Sequence, residues 1–148
     1  MRQNYGNMLI YSSESFLVKY NQLQDTLMLD CLKTLHLNEF KEGMDEALLF
    51  ATGNQVKRWV LNVKNIGNLE EEQESWLQYH LYPQLMSSLG ADNFIAVVLS
   101  DQCYEALLVE AGRLGLKSYN TFIKLNTFHA EEDALQWLSS ESLSSMIA

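Results

Sequence analysis

Apolar residues along this chain change their spacing several times, and each change marks the start of a new element. Phe16-Leu17-Val18-Lys19-Tyr20 and Thr26-Leu27-Met28-Leu29-Asp30-Cys31-Leu32 are rich in aromatic, β-branched and other apolar residues. They flank the polar stretch Asn21-Gln22-Leu23-Gln24-Asp25, which predicts a hairpin. Met8 to Tyr11 offers a short leading strand. From Asn38 the apolar step becomes three or four residues, through Phe40, Met44, Ala47, Leu48 and Ala51. That spacing predicts an amphipathic helix, with Asn38 as its cap and Gly53 as its stop. Lys57 to Val63 then returns to a strand pattern.

Beyond that strand lies the polar loop Asn62-Val63-Lys64-Asn65-Ile66-Gly67-Asn68 and a second helical pattern, Trp76, Leu77, His80, Leu81, Leu85, Met86 and Leu89, closed by Gly90. Asn68 is placed to cap this helix with Glu71 reaching back to it. Glu70, Glu71, Glu72 and Glu74 fall in its first turns, where the helix dipole favours negative charge without any metal or substrate. Pro83 interrupts the pattern and should bend or break the helix after Tyr79. Phe94 to Leu99 is a continuous apolar run, as expected of a central strand covered on both faces. Asp101 can cap a helix reaching Leu114, with Cys103, Ala106, Leu107 and Leu114 near one stripe and Gly115 as terminator. Tyr119 to Leu125 reads as a strand, and Ala130 to Leu138 as a last helix with Ala134, Trp137 and Leu138 turned inward. The serine-rich segment 139–148 should fray. The fold class that follows is α/β: a mixed sheet of about five strands with an initial hairpin and flanking helices, parallel in its later part. Residues 1–148 make a single domain with its core at about 14–140.

Composition narrows the function classes. With 148 residues, 17.0 kDa and 47% hydrophobic residues, the chain fills one core and leaves no room for a second domain. A net charge of -9 and ten Lys/Arg residues without a run argue against a nucleic-acid partner. The longest apolar run, Phe94 to Leu99, is far short of the roughly 20 residues of a membrane span. The first residues, Met-Arg-Gln-Asn-Tyr-Gly-Asn, lack the apolar region of a secretory signal, so a cytoplasmic location is expected. Cys31 and Cys103 are too few for a disulfide framework and are read as buried small apolar residues.

Catalytic chemistry is sparse. His36, His80 and His129 belong to different elements and form no metal-ligand spacing, so neither a metal nor a cofactor is expected. The single glycines of Gly53-Asn54-Gln55 and Ile66-Gly67-Asn68 do not make a phosphate cradle, and Ser75, Ser87, Ser88 and Ser100 lack a nucleophile-elbow context. Cys103 at a helix start, and a pairing of Asp30 with Asp101 as acid and base, are the residual enzymatic options; packing and capping explain them equally well. The better candidate is the loop at the carboxyl end of a parallel strand, where open α/β sheets bind. Its Asn62, Lys64, Asn65, Gly67 and Asn68, with nearby Trp76, form the candidate partner or ligand site.

Several landmarks together resemble a bacterial group of small STAS-like proteins that includes the anti-sigma-factor antagonists. They are the strand Arg58 to Val63, the loop through Asn68, the helix with Glu74-Ser75-Trp76 and Tyr82-Pro83, the strand Ile95 to Leu99, and the terminal Asp133-Ala134-Leu135-Gln136-Trp137-Leu138. The resemblance implies a mixed sheet flanked by helices and a docking role for the loop before the second helix. It departs at one point: antagonists of this type carry a phosphorylated serine at that helix start, whereas no Ser or Thr occurs between Asn62 and Glu74. Three readings follow. One is a non-catalytic cytoplasmic regulatory domain that binds a protein partner, or a second copy in a homodimer, through the 62–68 loop. Another is a carrier or sensor of a small apolar or lipid-like ligand held between helix and sheet, suggested by Trp59, Trp76, Tyr79, Tyr82, Phe94 and Trp137. The remaining one is an enzyme using Asp30, Asp101 or Cys103.

Overall fold

The computed structural model describes residues 6–147. Strands β1 (Asn7–Ser12), β2 (Phe16–Asn21) and β3 (Thr26–Cys31) form an antiparallel meander. The β2–β3 turn is held from within: Gln24 N–H donates to Asn21 Oδ1, Asp25 takes a positive φ of 50°, and the Tyr20 hydroxyl donates to Asp25 Oδ1 at 2.7 Å. After β3 the chain alternates helix and strand. The helices are α1 (Leu37–Asn54), α2 (Glu71–Trp76), α3 (Tyr82–Leu89), α4 (Asp101–Ala111) and α5 (Glu131–Ile147). The strands are β4 (Arg58–Asn62), β5 (Asn93–Val98), β6 (Lys117–Tyr119) and β7 (Ile123–Phe128).

All seven strands join one mixed sheet in the order β1-β2-β3-β4-β5-β7-β6. Neighbours β3, β4, β5 and β7 are parallel and in chain order, so successive right-handed crossovers place α1, the α2–α3 run and α4 on one face. Phe16, Leu27, Leu29, Trp59, Leu61 and Ile95 point to that face and meet Phe40, Met44, Leu77, Leu81 and Leu85. Alternate residues Met28, Val60, Ala96 and Val98 point the other way and are covered by Ala134 and Leu138 of α5. β4 is covered on both faces and β5 on both except at half-buried Val97, which is why Phe94 to Leu99 has no alternation.

The strand count of about five is corrected to seven. Met8 to Tyr11 does form β1, and the expected strand Tyr119 to Leu125 is instead a hairpin of β6 and β7. Asn120 makes that turn, its Oδ1 accepting from Phe122 N–H and Ile123 N–H. Helix ends differ as well. His36 rather than Asn38 is the N-cap of α1, and the helix runs past Gly53 to a left-handed Gln55, which lets the next residue, Val56, be fully buried. Glu70, not Asn68, caps α2: its backbone N–H is taken by Gln73 Oε1 at 3.0 Å in a capping box. Ser100 caps α4 by accepting from Cys103 N–H, and Gly112 with φ 71° ends it, so Leu114 lies in a following 3-10 turn, Arg113–Leu116. α5 continues through the serine-rich segment to Ile147, and Ala148 lies outside the described residues.

Around Pro83 the α-helical ladder gives way to a π turn over Leu77–Leu81, where Tyr82 N–H donates to Leu77 O five residues back. This is the interruption that the proline requires, since it has no N–H to return to Tyr79. The π turn also solves a spacing problem. Leu77, Leu81, Leu85 and Leu89 recur every four residues and would drift about 40° per step on an α-helix; the wider turn takes back part of that drift, and all four are buried.

Candidate functional site

α1 approaches the sheet closely because Gly43 faces Phe16: a Cβ there would stand 2.4 Å from the ring. Phe16 in turn stacks on Phe40 with centroids 5.8 Å apart. α4 sits differently. None of its residues is buried; Cys103, Tyr104 and Leu107 are only half-covered, and Val109 is 86% exposed. Because α4 stands off, the sheet under β5 and β7 is left open between it and the α2–α3 run.

The opening is a cleft of about 400 Å³. Its walls are Leu69, Leu77, Val97, Leu99, Leu107 and Leu125, joined by Tyr82. Its polar groups are Asn68, Glu74, Gln78, Ser118 and Thr127. Burial pushes the Tyr82 hydroxyl well above the ordinary phenol range, and the Glu74 carboxylate adds to the shift. Glu74 itself stands at the rim; partial desolvation and then the neighbouring Glu71 hold its carboxyl above the usual range. A mostly apolar cleft of this size with a few polar groups in its lining has the form of a small-molecule site, for which roughly 300–1,000 Å³ is usual.

The residues picked from sequence divide among three places. Asn68 lines the cleft, and its Oδ1 accepts from Leu69 N–H at 2.8 Å. Asn62, Lys64 and Gly67 instead stitch the loop to its neighbours. Asn62 Oδ1 accepts from Lys64 N–H; Lys64 Nζ donates to His129 O at 2.9 Å and lies 3.7 Å from the Asp101 carboxylate. Gly67, with φ +92°, accepts from Ser100 N–H and passes so close to α4 that a Cβ would stand 3.3 Å from Cys103 Sγ. Asn65 is exposed at the tip. Trp76 turns to α1, where it meets Phe40 edge-on, and it stacks on His80 of the following π turn with centroids 4.7 Å apart. Around Pro83, Tyr82 lines the cleft, Leu85 is buried and Tyr79 is 82% exposed.

The residual enzymatic options also separate. Asp101 is paired with Lys64 and His129, whereas Asp30 sits near Glu131 and Lys19, so the two aspartates do not form an acid–base pair. Cys31 is buried, which pushes its thiol up to about 12 and leaves it unreactive. Among the described residues no group of three or more His, Cys, Asp or Glu is placed to hold a metal, and no helix is long and apolar enough to cross a membrane.

Of the aromatics that suggested a ligand between helix and sheet, Tyr82 lines the cleft, whereas sequence reasoning missed Leu69, Leu77, Val97, Leu107 and Leu125 because each reads as an ordinary core position. The available signal was indirect: the helix after β5 places Glu105, Ala106, Val109 and Glu110 around its circumference and has too narrow an apolar stripe to seal a sheet. Comparison of the chain with protein-family models, with curated proteins and with solved structures finds no match.

Proposed function

We propose that this is a non-catalytic binding domain that carries or senses a small, mostly apolar molecule held between the α2–α3 run and the sheet. The observation that supports this reading is the leucine-walled cleft beneath α4, with a few polar side chains among its lining. A carrier needs no reacting groups, only apolar area and a few hydrogen-bonding positions. Native mass spectrometry of the protein as purified, followed by calorimetric titration with decanol, tests it: retained small-molecule mass or saturable one-site binding is expected. A bare protein that also fails to bind decanol overturns it.

A second reading, docking of a protein partner or a second copy through the 62–68 loop, is favoured by the exposure of Lys64 and Asn65 on a scaffold-held tip. In that case Asn65→Ala weakens partner capture while leaving the melting temperature in place. The STAS-like relationship and a cytoplasmic setting belong to the same proposal. The mixed sheet with helices on both faces agrees with the architecture that the resemblance implies, without the phosphorylated serine.

A further inference from the structure

We propose that the cleft takes a cationic amphiphile, an alkyl or aryl amine whose chain lies against the leucine walls and whose ammonium group meets the Glu74 carboxylate at the rim. This rests on reading the cleft as a ligand site and goes further by naming the ligand's charge.

Charge complementarity carries the argument. Of the residues that line the cleft, Glu74 alone is ionisable near neutral pH, and no Lys, Arg or His lines it. Among the described residues Glu74, like Glu71 and Glu110, enters no ion pair, but of these three it alone lines the cleft. The groups acting on it make the rim more negative: Glu71 lies one turn away, and Tyr82 contributes only a neutral hydroxyl. From the opposite wall α4 supplies Leu107, β5 supplies Val97 and Leu99, and β7 supplies Leu125 and Thr127, none of them charged. The nearest cation along β6, Lys117, alternates away from Ser118 and lies over the Tyr119 ring. A solvent-exposed carboxylate at the mouth of an apolar cleft that holds no cation is complementary to an ammonium group on an apolar chain. A fatty acid, by contrast, would set a second carboxylate against Glu74 and Glu71.

The test is a calorimetric titration at pH 7 of decylammonium, decanol and decanoate, each below its micelle concentration. The wild-type chain, Glu74→Gln and Glu110→Gln are compared; Glu110 is an exposed α4 residue away from the cleft, and its replacement removes the same net charge. Decylammonium is expected to bind at least tenfold more tightly than decanol, and decanoate most weakly. Glu74→Gln should abolish the ammonium advantage while leaving decanol binding in place, which also shows that the variant is folded; Glu110→Gln should change neither. Equal binding of amine and alcohol, or tightest binding of decanoate, overturns the charge assignment but keeps the cleft as a ligand site. An ammonium preference that survives Glu74→Gln, or falls equally in Glu110→Gln, assigns it to the overall charge of -9 and also overturns the proposal. Failure of all three compounds to bind overturns the ligand-site reading itself.

Discussion

Two helices lie on the same face of one sheet and treat it differently. α1 buries Phe40, Gly43, Met44, Ala47, Leu48 and Ala51, a set that mixes large with very small side chains and lets the helix drop onto β2. α4 buries none and leaves Val109 in solvent. A sheet face of similar apolar character is thus sealed under the first helix and left open under the second. The lesson is that the cleft arises from what α4 lacks and not from any special residue in the sheet below it. Packing quality, read helix by helix, separates the part of the molecule that provides stability from the part that has room to bind.

Substitutions on the two helices should differ in cost. The largest effect is expected at Phe40, fully buried between Phe16 and Trp76: Phe40→Ala should cost about 3–5 kcal/mol in chemical denaturation. Gly43→Val should follow at about 1–3 kcal/mol, because its side chain meets the immobile Phe16 ring and lifts α1 from the sheet. On α4, Leu107→Ala removes a half-covered side chain from the wall of an existing cleft and should cost only about 1 kcal/mol, since there is little packing to lose. Equal losses at Phe40 and Leu107 would mean that α4 packs as firmly as α1.

The smallest effect concerns charge. Asp30, through burial first and Glu131 second, and Glu74, through partial burial first and Glu71 second, both have carboxyls held above their ordinary values. The folded chain therefore binds these protons more tightly than the unfolded one. This contribution to stability falls as pH rises from each ordinary value, 3.8 or 4.5, through the raised folded one. At pH 7 Asp30→Asn should match or slightly exceed the wild type, by roughly 0.5 kcal/mol, Glu74→Gln should do so by less because solvent screens its exposed carboxylate, and both gains should vanish on acidification below those ordinary values. A gain at low pH instead would reverse the assignment.

Much of the architecture was legible in the sequence because it rests on period and on unbroken apolar runs. The hairpin, the central β5 strand and the alternation of helix with strand all follow from residues that have one way to be buried. What was not legible depended on local competition. Asn68 and Glu70 are both competent caps, and only the position of Gln73 decides between them. Asn120 turns a continuous strand pattern into two strands with one side-chain oxygen. The interruption at Pro83 was readable, but its form, a π turn that keeps four leucines aligned, follows from tertiary packing. For the site, the polar loop drew notice since asparagines and a lysine look like ligands for something, yet Asn62 and Lys64 spend their hydrogen bonds on the protein itself. Leucines that line a cleft and leucines that fill a core have the same periodicity, and the distinction emerges only when α4 is seen to stand away.

The central claim is that the space beneath α4 is a binding cleft, and methyl-selective NMR tests it most directly. In a decanol titration of the leucine- and valine-labelled protein, saturable shifts are expected at Leu77, Val97, Leu107 and Leu125, with Leu27 and Leu29 in the sealed core unmoved. Shifts confined to exposed methyls such as those of Val109 and Leu114, or no saturable shift at all, would contradict it.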